Sequence, residues 1–108
     1  MTDEENGSRR SAGAEEPGGR QRLHLRLSGR VQGVGFRWFT HRAACARGLG
    51  GWVKNMPDGS VEMEVEGPPS TLQDFVENVE KGPAASRVDD LTSREMEPRG
   101  SDDFSIEY

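Results

Sequence analysis

Apolar and polar residues alternate in the sequence LHLRL at residues 23–27. Because successive side chains of a strand point to opposite faces, the three leucines share one face and the polar residues share the other. From Phe36 the apolar spacing changes to three and four residues, through Phe39 and Ala43, which is typical of one helical face. Gly48 predicts the end of that helix.

A β-hairpin is predicted by two apolar segments, residues 51–55 and 61–66, which flank the turn sequence MPDGS. Proline presets a turn dihedral, and glycine accepts a positive φ. In the second arm, Val and Met residues alternate with Glu62, Glu64 and Glu66. We therefore expect these three carboxylates to point to water from a sheet that is covered on one face only.

A second helix is predicted by an apolar stripe at spacings i, i+3, i+4 and i+7, which is typical of a packed helix. The members of the stripe are Leu72, Phe75, Val76 and Val79. The sequence allows two starts for this helix, a capping box at Ser70 or a proline, Pro68, at the first helical position. Gly82 predicts its end.

Two further strands are predicted near the C-terminus. Apolar residues indicate one strand at Val88, Leu91 and Met96 and a last one at Phe104, Ile106 and Tyr108. The order β-α-β-β-α-β predicts an α+β, ferredoxin-like split βαβ sandwich. We expect an antiparallel sheet of four to five strands with two helices on one face.

The N-terminal segment lacks any apolar pattern. Residues 1–20 are rich in Gly, Ser, Glu and Arg, and contain no aromatic or β-branched aliphatic residue. Such a segment cannot offset the entropy of ordering. We therefore expect a disordered extension over residues 1–21 and a single domain over residues 22–108.

Charge and cysteine content limit the partners and the compartment. The net charge of −5 argues against non-specific binding to nucleic acid. No apolar run approaches the roughly 20 residues needed to span a bilayer. The single cysteine, Cys45, excludes an internal disulfide, fits a reducing compartment and is expected to be a small packing group. We expect a cytoplasmic monomer with no nucleic-acid or membrane partner.

A glycine-rich segment joins the first strand to the first helix. Gly29, Gly33 and Gly35 allow successive backbone amides to turn inward around an anion at a helix N-terminus. No Lys-Ser or Lys-Thr follows, as a Walker A loop requires, and Trp38 occupies the third glycine position of the dinucleotide fingerprint. A tight connection without a ligand is the alternative interpretation of the glycines alone.

Arg37 favours the phosphate interpretation. It lies on the first helical turn, where a guanidinium can bind phosphate oxygens through paired donors. Taken by position alone, a surface arginine paired with a carboxylate is the alternative.

The sequence GRVQGVGFR at residues 29–37, followed by GWVKN at residues 51–55, resembles the acylphosphatase family. The resemblance extends from residue 23 to residue 108. It implies hydrolysis of the carboxyl-phosphate anhydride of small acyl phosphates to a carboxylate and inorganic phosphate. It also implies that Arg37 binds the phosphoryl oxygens and that Asn55 orients the attacking water. By the same resemblance, the phosphate-binding loop comprises Val31, Gln32, Gly33, Val34, Gly35, Phe36 and Arg37.

The residue types in the two motifs agree with this chemistry. Phosphoryl transfer mainly requires positioning and neutralisation of charge, for which one arginine and a ring of amides suffice. Neither motif contains Asp, Glu or His, so we expect no protein base and hypothesise that a phosphoryl oxygen accepts the proton of the water. We expect no metal ion and no organic cofactor.

Two alternative functions follow from the same pattern. A non-catalytic phosphate- or carbamoyl-phosphate-binding module of a larger enzyme would share the loop. An RNA-binding domain of the same shape would need aromatic residues on the open sheet face, where this chain has His24, Arg26 and glutamates. Of the remaining candidates, Trp38 and Trp52 are expected to pack around the site, and His24 and His41 to be structural or merely exposed.

Overall fold

A computed structural model describes residues 19–108. The elements follow in the order β1 (Gln21–Arg30), α1 (Phe36–Ala46), β2 (Gly50–Asn55), β3 (Val61–Gly67), α2 (Pro69–Lys81), β4 (Arg87–Met96) and β5 (Phe104–Glu107). The strands form one five-stranded sheet in the order β4-β1-β3-β2-β5. The predicted α+β, ferredoxin-like class is confirmed.

Most of the predicted N-terminal extension, residues 1–18, lies outside the described residues. The first described residues after this segment contact the sheet. Gln21 already belongs to β1, and Arg20 Nε donates to Glu66 Oε2 over 3.0 Å. The described domain therefore includes Arg20, which composition had grouped with the polar segment before it.

The sheet is antiparallel except at one edge. β1 pairs antiparallel with β3 and β4, and β2 pairs antiparallel with β3, whereas β5 pairs parallel with β2. β4 ends at the same end of the sheet at which β2 begins. From that end, the chain crosses the sheet to the opposite edge. Because β5 therefore begins at the same end of the sheet as β2, the two strands run in the same direction. The prediction of an antiparallel sheet is thus wrong for this fifth strand.

The apolar faces predicted by the sequence meet in one core between the sheet and the two helices. The pattern of the second helix is confirmed, with Leu72, Phe75 and Val79 buried. Its N-cap is Pro68 and its first helical residue is Pro69, so the proline start lies one residue later than expected and Ser70 makes no capping bond. The completely buried apolar residues of the strands are Leu25, Leu27, Val53, Val61, Met63 and Val65.

The outer face of the sheet differs from the prediction. Glu64 is 8% exposed and Glu66 is fully buried, so the expectation that they point to water is wrong. Both carboxylates bind the buried Arg22, whose NH2 lies 2.8 Å from Glu64 Oε1 and whose NH1 lies 2.9 Å from Glu66 Oε1. The third carboxylate, on Glu62, is partly exposed and lies 3.1 Å from His24 Nε2.

The chain between β4 and β5 explains this burial. We call residues 97–103 the crossover segment, since it passes over the outer face of the sheet. The backbone N–H groups of Arg99 and Gly100 each donate to Glu66 over 2.8 Å, one to each carboxylate oxygen. Arg22 NH1 donates to Ser101 Oγ over 3.0 Å. The charged cluster therefore fixes the segment that delivers β5 to the far edge of the sheet.

The protonation of Glu66 follows from these contacts. Burial by itself raises the pKa of its carboxyl, but the donors from Arg99, Arg22 and Gly100 outweigh burial and lower the pKa to about 2. Glu66 is therefore ionised under ordinary conditions, as a pair with Arg22 requires. No helix within residues 19–108 is long and apolar enough to cross a membrane.

Candidate active site

The loop between β1 and α1 takes a shape that depends on glycine. Gly33 and Gly35 have φ angles of 75° and 79°, in the left-handed region that other residues rarely occupy. A Cβ added at either position would meet no atom within 4 Å. The backbone conformation, and not a lack of space, therefore requires glycine at these two turns.

The start of α1 leaves main-chain donors free at this loop. Gly35 is the N-cap, and no side chain caps the helix. The first helical hydrogen bond runs from Phe39 N to Gly35 O over 3.0 Å, so the N–H groups of residues 36–38 have no acceptor within the helix. No acidic residue occupies the first turn. Free N–H groups at the positive end of the helix dipole form a binding place for an anion.

A cleft of about 210 Å³ lies at this helix end. It brings together Arg37 of α1 and Asn55 at the end of β2, as well as two residues of the C-terminal strand region, Ile106 and Tyr108. Its complete lining is Val31, Gly33, Gly35, Phe36, Arg37, Trp38, Asn55, Ile106 and Tyr108. The two sequence motifs, 29–37 and 51–55, therefore meet at one cleft.

Two residues of the predicted phosphate-binding loop direct their side chains elsewhere. Val34 is partly buried and packs against the hydrophobic core. Gln32 Nε2 donates to Met56 O over 2.8 Å and to Ser60 O over 2.9 Å. Because Met56 directly follows Asn55, this amide ties the glycine loop to the hairpin turn and sets the distance between the two motifs.

The hairpin turn is itself held by local hydrogen bonds. Asp58 Oδ1 accepts from Ser60 Oγ over 2.6 Å and from Ser60 N over 3.0 Å, and Asp58 Oδ2 pairs with Arg26. The Ser60 hydroxyl, the Ser60 N–H and the Arg26 guanidinium hold the pKa of Asp58 well below its usual range. These hydrogen bonds therefore restrict the conformation of the turn that follows Asn55.

Asn55 carries an unpaired acceptor. Its Oδ1 is buried and accepts no hydrogen bond from any donor in residues 19–108. Leaving such an oxygen unpaired costs on the order of 1–3 kcal/mol. An amide with a free acceptor in the wall of the cleft is suited to receive a hydrogen bond from a bound water molecule.

Arg37 is held at the cleft by the C-terminal strand region. Its NH1 donates to Glu107 O over 3.3 Å, and its guanidinium carbon lies 4.8 Å from the centre of the Tyr108 ring. Both contacts are on the surface, where such interactions contribute little, so the guanidinium can leave them for an anion.

The contribution of β5 to the cleft was missed from the sequence. The alternation of Phe104, Ile106 and Tyr108 indicated a shared face but not a neighbouring strand. In the structure Gly51 pairs with Phe104 and Val53 with Ile106. Extending this register by two residues places Tyr108 beside Asn55, which accounts for its position in the cleft.

The other singled-out residues fall in different places. Trp38 lines the cleft, but it is 59% exposed and so is not buried. Trp52 pairs with Glu64 on the outer face and is not at the cleft, contrary to expectation. Cys45 is exposed, contrary to its expected packing role, and its Sγ lies 3.6 Å from His41 Nε2. Within residues 19–108, no group of three or more His, Cys, Asp or Glu residues could hold a metal ion.

Comparison with known proteins relates both the sequence and the fold to one family. Residues 23–106 match the sequence profile of the family described as Acylphosphatase. The chain is 46% identical over 86 residues to the acylphosphatase of Thermotoga maritima, an alignment that covers 80% of this chain and 96% of that protein.

Solved structures give the same relation. The crystal structure of acylphosphatase from Bacillus subtilis superposes with a TM-score of 0.79 at 46% identity, covering 82% of this chain and 99% of that one. The structure of HypF from T. kodakarensis matches with a TM-score of 0.73 at 34% identity, covering 82% of this chain but 12% of that chain. The fold therefore occurs both as nearly a whole protein and as a small part of a larger one.

Proposed function

The chain belongs to the acylphosphatase family, and we propose that Arg37, Asn55 and the amides of residues 31–37 carry out its reaction. The activity is that of a hydrolase acting on acid anhydrides. It cleaves the carboxyl-phosphate bond of acyl phosphates and releases a carboxylate and inorganic phosphate. The observation that supports this assignment of residues is the single cleft that joins the free end of α1, Arg37 and Asn55.

The phosphoryl group is the part of the substrate that the cleft recognises. In our proposal the N–H groups of the glycine loop and of residues 36–38 donate to its non-bridging oxygens. The Arg37 guanidinium adds two parallel donors and a positive charge. Because charge on these oxygens is spread further in the transition state, fixed donors stabilise that state without reorganising.

Asn55 positions the nucleophile. Its unpaired Oδ1 accepts a hydrogen bond from a water molecule, which orients the water oxygen towards phosphorus on the side opposite the leaving group. The water oxygen forms the new bond to phosphorus, while the bond from phosphorus to the bridging oxygen breaks. The electron pair of the broken bond leaves with the carboxylate.

The proton of the water moves to a phosphoryl oxygen of the substrate. This transfer needs no protein base, in keeping with motifs that contain no Asp, Glu or His. A carboxylate is a good leaving group at neutral pH, so no general acid is needed either. A phosphate monoester, whose leaving alkoxide would need a proton, is therefore a poor substrate for this site.

Turnover of acetyl phosphate by the purified chain in excess EDTA tests the proposal. We expect release of inorganic phosphate at the same rate with and without EDTA. A rate no higher than that of spontaneous hydrolysis would contradict the proposed activity. A rate that EDTA abolishes and Mg²⁺ restores would contradict metal independence alone.

A non-catalytic phosphate- or carbamoyl-phosphate-binding module is the second candidate. The likeness to a small part of HypF shows that the same fold also occurs within a larger protein. This candidate predicts that inorganic phosphate binds but that acetyl phosphate is not turned over. The EDTA assay, combined with a phosphate titration, separates the two functions.

We also propose that the protein acts as a cytoplasmic monomer. The single cysteine, which is exposed, fits a reducing compartment. Sedimentation equilibrium at assay concentrations should give a mass close to 11.9 kDa.

A further inference from the structure

The large hydrophobic side chains exposed in residues 19–108 lie at the same place. They are Trp38, at 59% exposure, and Tyr108, at 92%, and both line the cleft at the start of α1. A single exposed aromatic residue is ordinary on a protein surface. Two such residues on one cleft, next to the proposed phosphate site, indicate a binding surface for an apolar group.

One face of the Trp38 indole packs against a neighbouring side chain. The imidazole of His41 stacks on it at a centroid distance of 5.6 Å and an interplanar angle of 11°. His41 in turn packs against Phe104, at 6.3 Å between ring centres, and Phe104 belongs to the hydrophobic core. The indole is thus stacked on a side chain that contacts the core, while more than half of it stays accessible.

The lining of the cleft divides by chemistry. Gly33, Gly35, Arg37 and Asn55 provide polar groups, whereas Trp38, Ile106 and Tyr108 provide an apolar wall. In an acyl phosphate the acyl carbon is separated from phosphorus by one oxygen atom. When the phosphoryl group occupies the polar part, the acyl group must therefore lie within reach of the apolar wall.

The charges at the cleft exclude some acyl groups. Arg37 has the one charged side chain among the residues that line it. That guanidinium is engaged by the phosphoryl group in the proposed function. A carboxylate or a further phosphate on the acyl part would lose its hydration there without gaining a cationic side chain to pair with.

On these grounds we propose that Trp38 is a specificity-determining residue that binds the acyl group and selects aryl and other apolar acyl phosphates. This inference rests on the proposed function, since it assumes that the phosphoryl group occupies the polar part of the cleft. The stacked indole provides a flat surface on which an aryl ring can lie. Small acyl groups, such as acetyl, have no ring that could lie on that surface.

The test compares benzoyl phosphate with acetyl phosphate. In the unmodified protein kcat/KM should be higher for benzoyl phosphate. Trp38→Ala should reduce this preference about three- to tenfold, the worth of one aromatic contact, by lowering kcat/KM more for benzoyl phosphate than for acetyl phosphate. Trp38→Phe should retain most of the preference. Because Trp38 is exposed, these variants should fold.

Trp52→Ala is the matched control, since Trp52 is not among the residues that line the cleft. It should leave the preference unchanged. An unchanged preference in Trp38→Ala, or a preference for acetyl phosphate in the unmodified protein, would overturn the inference while leaving acylphosphatase activity intact. An equal loss with succinyl phosphate, whose acyl part carries a carboxylate, would also overturn it, since that acyl group should avoid the apolar wall.

If no substrate is turned over, a binding measurement tests whether Trp38 binds the acyl group. The methylene phosphonate analogues of benzoyl and acetyl phosphate cannot be hydrolysed, and calorimetry gives their affinities directly. Tighter binding of the phenyl analogue, lost in Trp38→Ala, would support the acyl site even if the proposed activity failed. Equal binding of both analogues would contradict it.

Discussion

Arg37 and Asn55 line the same cleft but have different chemistry, so substitutions of the two residues should have different effects on binding and turnover. Arg37 offers a positive charge and paired donors, which in the proposed function bind phosphate in the ground state and in the transition state alike. Asn55 offers a neutral amide whose acceptor has no partner within residues 19–108, and in the proposed function this acceptor binds water instead. Removing the first should weaken binding and turnover, whereas removing the second should weaken turnover alone.

Arg37→Ala should lower kcat/KM about 10²- to 10³-fold, because a donor that stabilises the developing charge is lost. Inorganic phosphate should also inhibit the variant more weakly. Arg37→Lys should recover only part of the activity, since an ammonium cannot make the paired contacts. Arg42→Ala is the control, because Arg42 is exposed on the same helix and does not line the cleft. Normal phosphate inhibition in Arg37→Ala would contradict this role.

Asn55→Ala should lower kcat about 10²-fold or more while leaving the inhibition constant of phosphate nearly unchanged. Steady-state kinetics with phosphate as a competitive inhibitor measures both quantities. Asn78→Ala on α2, remote from the cleft, serves as the control. Normal turnover in Asn55→Ala would show that another group orients the water.

At this scale the sequence predicted the shape of the glycine turns, because a requirement for positive φ is a local feature. Gly33 and Gly35 have the positive φ that a glycine-rich turn predicts. Glu66 and Tyr108 were misjudged because their surroundings depend on distant parts of the chain. Alternation assigned Glu66 to an outer face but could not show the crossover segment that covers it.

Between elements, Gln32 connects the glycine loop to the β2–β3 turn through two carbonyl groups. Gln32→Ala leaves both carbonyls without that donor and lets the two motifs shift relative to each other. We expect kcat to fall about tenfold, since a displacement of about 1 Å has effects of this order or larger. Stability should fall by about 1–2 kcal/mol.

In Gln32→Ala, comparing kcat with the affinity for phosphate distinguishes a loss of positioning from a loss of stability. If Gln32 positions Asn55, kcat should fall more than the affinity for phosphate, and Gln32→Glu, which cannot donate to the carbonyls, should not restore it. Gln73→Ala on the exposed side of α2 is the control. A variant that only loses stability, with normal kcat at low temperature, would contradict the positioning role.

The elements themselves were well predicted wherever a pattern is local. Helical spacing and strand alternation gave both helices, the hairpin and all the strands approximately at their observed bounds. The direction of β5 could not be predicted, because alternation in a strand carries no information on which strand it will join. Its parallel pairing follows from the path of the crossover segment across the sheet.

For the molecule as a whole, the two faces of the sheet are stabilised differently. One face buries apolar side chains under the helices, and the other buries the cluster of Arg22, Glu64 and Glu66 under the crossover segment. Removing one member of such a cluster leaves an uncompensated buried charge. The cluster therefore makes the whole fold sensitive to acid.

The pH dependence of unfolding tests this account. The pKa of Glu66 is lowered from 4.5 to about 2 on folding, so its ionised form contributes stability above about pH 4.5. That contribution, on the order of 3 kcal/mol, should be lost as the pH falls from about 4.5 to 2. Denaturant unfolding followed by circular dichroism at several pH values measures it.

Glu66→Gln should be destabilised at neutral pH and should show a weaker dependence on pH between about 4.5 and 2. Glu62→Gln provides the control, because Glu62 is partly exposed and pairs with His24. A Glu66→Gln variant with the same acid profile as the unmodified protein would show that the cluster does not control acid stability.

The central claim is that main-chain N–H groups and one guanidinium enclose a phosphoryl group at the start of α1. A crystal structure of the protein with inorganic phosphate tests it most directly. We predict a tetrahedral anion within hydrogen-bonding distance of the N–H groups of residues 31–37, with the Arg37 guanidinium turned from Glu107 and Tyr108 onto its oxygens. Phosphate bound elsewhere, with this loop empty and Arg37 still over Tyr108, would contradict the account.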